Sequence, residues 1–67
     1  MIRVTANGHP HDLPDDISVD DLIERLGLAG AICAAEVNKS VVPHAKRSEH
    51  TLQEGDTIEI VTLVGGG

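Results

Sequence analysis

Apolar residues recur at every second position in several stretches of the chain and at helical spacing in one. Ile2 and Val4 alternate with Arg3 and Thr5, which predicts a half-buried strand over residues 1–6. Asn7-Gly8 follows; both residues tolerate the positive φ of a type I′ turn, so a partner strand is expected from about His9 to Leu13. Pro14-Asp15-Asp16 breaks that pattern. Val19, Leu22, Ile23 and Leu26 then fall at i, i+3, i+4 and i+7, one apolar stripe of a helix. Ser18 can cap its free N–H groups, with Asp21 three residues on, and Asp20 and Asp21 suit the positive end of the helix dipole. Gly27 supplies a left-handed stop, and Leu28 an apolar contact beside it.

Ala31 to Val37 reads as a third strand, with Cys33, Ala35 and Val37 on one face and Ile32, Ala34 and Glu36 on the other. Asn38-Lys39 turns the chain into a short Ser40-Val41-Val42, closed by Pro43. Residues 44–50 are polar apart from Ala45 and read as a surface loop, with Leu52 tucked beneath. Glu54-Gly55-Asp56 is a turn. Thr57 to Val64 is the last strand, alternating Ile58, Ile60 and Thr62 with Glu59, Val61 and Leu63. No internal repeat interrupts this order.

Strand, strand, helix, strand, short strand, strand predicts an α+β domain over residues 1–64, followed by a glycine tail over 65–67. The sheet is small and mixed, with four or five strands, and one main helix packs on one of its faces. A single helix leaves the other face partly bare. If Ile58 and Ile60 meet the helix, Val61 and Leu63 fall on the bare face, where Val64, Ile32 and Ala34 join them. That patch reads either as a docking surface or as scattered surface aliphatics.

Composition narrows the function. A 67-residue chain buries only about 60% of its unfolded surface, so its core has to be economical. The single cysteine, Cys33, excludes an internal disulfide and suits a reducing compartment. Met1 leads directly into the first strand pattern, so no signal peptide is expected. No apolar run approaches the roughly 20 residues that span a bilayer. A cytoplasmic protein without membrane contact is the expectation. Eleven acidic side chains against five basic ones leave a formal charge of −6, and there is no Phe, Tyr or Trp. Phosphate neutralisation and base stacking are both disfavoured, which argues against nucleic-acid binding. The acidity fits docking on a basic protein face or plain solubility.

Catalytic constellations are missing from the pattern. His9 and His11 share one strand face, but Asp12 points to the other and no third ligand is near, so no metal site is expected. His44 and His50 flank the polar loop and read as solvated. Cys33 could be a reactive thiol, yet it alternates in phase with Val37, which places it in the core. Asp15, Asp16, Asp20 and Asp21 are accounted for by loop solubility and the helix N-terminus. An independent enzyme is not expected.

The tail is where chemistry can reside. Gly65-Gly66-Gly67 cannot form a packed element, but can form a thin tether with a free carboxylate that enters a site too narrow for side chains. In order along the chain stand Val37-Asn38, Val41-Val42-Pro43, Glu54-Gly55-Asp56, Ile58-Glu59-Ile60-Val61 and Gly66-Gly67. Over essentially its whole length the chain thereby resembles the ThiS family, sulfur carriers of thiamine thiazole biosynthesis with the ubiquitin-like β-grasp fold. The resemblance implies a protein co-substrate. A ThiF-type, E1-like adenylyltransferase would use Mg-ATP to adenylate the Gly67 carboxylate, the carrier itself binding no cofactor. A persulfide donor would then leave a thiocarboxylate, whose sulfur passes to a ThiG-type thiazole synthase. Gly67 would be the covalent site, with Gly66 giving clearance and Gly65 a hinge. His44 departs from the arginine more usual after Val-Pro in the family, and residues 46–50 lack the aromatic that some members carry. Two alternatives share the pattern: a carrier for molybdopterin or cysteine biosynthesis, and a non-covalent β-grasp interaction module.

Overall fold

A computed structural model of the chain, which describes residues 1–62, places Asn7 and Gly8 at φ 52° and 82° and Asn38 and Lys39 at 52° and 71°. These left-handed pairs are the tight hairpin turns expected of them, because their twist matches that of the flanking strands. The first joins β1 (Ile2–Ala6) to β2 (His9–Leu13), with Val4 opposite His11 and Ile2 opposite Leu13. The second joins β3 (Cys33–Val37) to β4 (Ser40–Val42), with Val37 opposite Ser40. Strand β5 (Thr57–Thr62) runs between the hairpins, parallel to β1 and antiparallel to β3. The five-stranded order is β2-β1-β5-β3-β4.

Helix α1 (Val19–Arg25) connects the two hairpins. The Ser18 hydroxyl accepts from Asp21 N–H and the Asp21 carboxylate accepts from Ser18 N–H, both at 3.1 Å, a complete capping box. At the far end Gly27 N–H donates to Glu24 O and Leu28 N–H to Ile23 O, both at 3.0 Å. Gly27 takes φ 78° there, a conformation that a side chain would strain.

Val19, Leu22 and Ile23 pack against Val4, Ala6, Leu13, Ala35, Val37, Val42, Ile58 and Ile60, with Ile17 and Leu52 closing the margin. Leu26, Leu28 and Cys33 lie partly buried around this cluster. Leu52 is buried as expected, drawn in where its N–H donates to Ile17 O at 2.9 Å. The β-grasp architecture, one helix on one face of a mixed sheet, stands as read from the chain.

Two boundaries differ. β3 begins at Cys33, not Ala31: Ala31 N–H instead closes a turn on Leu28 O at 2.9 Å. Residues 44–50 are not wholly a surface loop. His44–Lys46 form a 3-10 turn, and Arg47 is buried, 6% exposed. The physical reason lies at the end of β4. That strand stops at Pro43, so the Cys33 carbonyl has no strand partner at that edge, and the Arg47 guanidinium donates to it at 2.6 Å. Leu63, Val64 and the tail Gly65–Gly67 lie outside the described residues, as does the expected domain boundary at 64.

Replacing Leu22, fully buried under the sheet, by Ala should lower unfolding free energy by about 3 kcal/mol. Asp56→Ala should remove about 2 kcal/mol, because its carboxylate accepts from Asn38 Nδ2 at 3.0 Å and from Gln53 N–H at 2.8 Å and both donors would lose their partner. Urea denaturation of the two variants measures both.

Candidate functional site

The register decides what the bare face carries. Ala35, Val37, Ile58 and Ile60 are committed to the core, so their neighbours point away from the helix. Ala34 lies directly opposite Val61, and Glu36 directly opposite Glu59. Val41 of β4 lies opposite Glu36. Val61 is 52% exposed, Val41 67% and Ile32, one residue before β3, 70%. Of the expected docking residues, Ala34 and Val61 are thus brought into direct contact register, and Ile32 is exposed near them in sequence. Leu63 and Val64 fall outside the described residues. Sequence reasoning missed Val41. The signal was its alternation with Val42, whose burial in the core turns Val41 outward.

Further across the same face, Arg3 holds Asp12 by two hydrogen bonds, Nε to Oδ1 at 2.8 Å and Nη2 to Oδ2 at 3.2 Å. The hydrogen bond from Arg3, together with its charge, lowers the Asp12 carboxyl from its ordinary value of 3.8, and Arg3 is raised in turn. Both groups are exposed, so the pair orders the surface of the β1–β2 hairpin and adds little to stability.

A second cluster stands at the end of the β3–β5 pairing. Cys33 is opposite Thr62, the last described residue of β5, so Cys33 marks the root from which residues 63–67 continue. Besides gripping the Cys33 carbonyl, Arg47 directs Nη1 toward Cys33 Sγ at 3.9 Å and toward His44 Nδ1 at 3.2 Å. Arginine has only donors, so His44 Nδ1 must accept. Cys33 is half-buried at the edge of the core and not fully inside it. His44 is exposed, as expected, and in addition shares the Arg47 guanidinium that holds the Cys33 carbonyl. The polar composition of residues 44–50 hid this, because Arg47 is buried through hydrogen bonds and not through hydrophobicity.

His9 and His11 lie along the same side of β2, and Asp12 faces Arg3 on the other. Among the described residues no three His, Cys, Asp or Glu side chains converge as metal ligands. No described helix is long and apolar enough to cross a membrane.

Residues 4–67 match the model of the ThiS family. Thiazole synthase of Magnetococcus marinus is 36% identical over 66 residues, which span 98% of this chain and 20% of that protein. The chain thus spans about a fifth of the length of that relative, and of the thiazole synthase of Paramagnetospirillum magneticum. Sulfur carrier protein ThiS of Escherichia coli is 32% identical over 50 residues, 75% of this chain and 76% of that one. The crystal structure of thiamine biosynthesis protein ThiS from Geobacter metallireducens superposes with a TM-score of 0.82 at 28% identity, covering 98% of this chain and all of the other.

The Arg3–Asp12 pair makes a signed prediction. Because the folded Asp12 value lies below 3.8, its stabilising contribution is complete above that pH and is lost as pH falls through the lower folded value. Asp12→Asn should therefore sit below the parent by a constant margin at neutral pH. The gap should close below pH 3.8, as read from urea midpoints at stepped pH.

Proposed function

The chain belongs to the ThiS family, and from that premise we propose that it is a sulfur carrier that supplies the sulfur of the thiamine thiazole. The observation that carries this reading is the family match running through Gly67 itself, across the glycine run, in a fold with a TM-score of 0.82 to a thiamine biosynthesis ThiS. Segments similar to this chain within two proteins named thiazole synthase support a thiazole synthase as the acceptor, ahead of molybdopterin or cysteine pathways.

The chemistry follows from the weakness of a carboxylate as an electrophile. Its charge repels nucleophiles, and oxide is not a leaving group. A ThiF-type activating enzyme transfers AMP from Mg-ATP to the Gly67 carboxylate and releases pyrophosphate. The terminal sulfur of a partner's persulfide then displaces AMP, giving an acyl disulfide. A cysteine thiol attacks the partner's sulfur of that disulfide, which leaves a thiocarboxylate on Gly67 and a disulfide on the partner. The thiocarboxylate is the sulfur donor to thiazole synthase.

This chain's own contribution is positional. The core buries Ile58 and Ile60 of β5, and pairing with β3 carries that strand as far as Thr62. Val61, Ala34 and Ile32 offer apolar surface beside the tail root, with Val41 farther along the same face, and Leu63 and Val64 extend it in sequence. Gly65 and Gly66 keep the path to Gly67 free of Cβ atoms, so that the reacting carbon reaches two different active sites. The carrier performs no catalysis itself, and works in the cytoplasm where Cys33 stays reduced.

Incubation with Mg-ATP, a ThiF-type enzyme and a persulfide donor should raise the intact mass by the exchange of one carboxyl oxygen for sulfur, localised to the terminal peptide. Gly66→Val should slow this roughly 100-fold by misplacing the reacting carbon. One residue added after Gly67 should abolish it. Normal sulfuration of the extended chain would refute the carrier role, whereas a non-covalent β-grasp module would bind its partner regardless of the extension.

A further inference from the structure

The bare face contains an arrangement that a sheet ordinarily avoids. Glu36 on β3 and Glu59 on β5 are direct antiparallel partners, and side chains so placed have Cβ atoms about 5 Å apart. Like charges directly opposite one another weaken the pairing. Among the described residues, neither carboxylate makes an ion pair with a cation. The five Lys and Arg residues of the chain are Arg3, Arg25, Lys39, Lys46 and Arg47, and the ion pairs that they and the amino terminus make among the described residues are Met1–Asp15 and Arg3–Asp12. Glu36 is also half-buried, where its charge is less well screened. A local rule broken at the expense of stability, without internal compensation, marks a surface kept for something else.

Its surroundings say what. Val41 is the partner of Glu36 on the other side, and Ala34–Val61 is the next outward-facing pair along the same two strands. The two carboxylates therefore sit inside an aliphatic frame, between Val41 and the pair nearest the tail root. We infer that this acidic pair is the specificity element of the docking face, and that its occupant is a protein surface presenting an arginine between apolar side chains. Arginine fits better than lysine, because one planar guanidinium has five N–H donors and can serve two adjacent carboxylates at once, while its face packs on the flanking valines. Covering the frame removes water from the pair, which strengthens the attraction and turns the internal repulsion into selectivity for a cationic partner. The inference rests on the carrier reading for the identity of the partner, the activating enzyme, and not for the surface itself.

The test compares the parent with E36Q/E59Q, using E24Q/E49Q as a control that removes the same charge from the exposed helix and the 44–50 segment. Binding to a ThiF-type enzyme is titrated without ATP, and adenylation is followed against carrier concentration with it. The acidic-pair variant should weaken binding and raise KM at least about tenfold, with the change concentrated in KM. The control should stay near the parent. Raising salt from about 50 mM to roughly 500 mM should weaken the parent by a similar factor and E36Q/E59Q much less. Because the repulsion is gone, E36Q/E59Q should unfold at an equal or higher urea concentration than the parent. Unchanged KM and binding, an equal effect of the control, or a lower urea midpoint would each overturn the inference. A parent that binds but is not adenylated would contradict the carrier reading and leave the docking comparison intact. A parent that neither binds at low salt nor reacts would overturn both.

Discussion

One helix of seven residues has to seal a face of a five-stranded sheet without a single aromatic side chain. That constraint shapes the rest of the molecule. Val19, Leu22 and Ile23 cover the middle strands, but α1 is too short to reach every margin. Ile17 and Leu52 fill the remainder, and the segment between β4 and β5 is drawn across the core to bring Leu52 there. Ser18 and Thr51 bridge, and Leu52 N–H donates to Ile17 O. The core is built from aliphatic side chains alone, so removing one large side chain leaves a cavity in a close-packed interior.

Placing α1, the one α-helix among the described residues, on one face leaves the opposite face to water. A monomeric sheet would ordinarily cover that face with polar residues. Here it is mixed: Arg3 and Asp12 order the β1–β2 side, while Val61, Val41 and Ala34 frame two opposed carboxylates on the β5–β3–β4 side. The asymmetry follows the tail. The apolar and acidic half is the half that ends at Thr62, the last described residue of β5.

At the end of the β3–β5 pairing a different interaction closes the sheet edge. β4 ends at Pro43 and leaves the Cys33 carbonyl at an open edge, and Arg47 closes that edge with its guanidinium. His44 is drawn into the same cluster. Arg47 thus works inward, on the scaffold.

Local signals were enough to specify much of this protein. Asn7-Gly8 and Asn38-Lys39 name their turns because few other pairs accept left-handed backbone, and Ser18, Asp21 and Gly27 name the limits of α1 because capping is satisfied within a few residues. Alternation sorted Ile58 and Ile60 from Val61, and the order of motifs ending in glycines named the family. What no window of sequence contains is the pairing between distant segments. The parallel β1–β5 contact, the opposition of Glu36 to Glu59, and the capture of Cys33 by Arg47 join residues 14 to more than 50 positions apart. Arg47 looked like a surface residue because burial of a charged group depends on which carbonyl is left unpaired nearby, and that is set only when the strands are laid side by side.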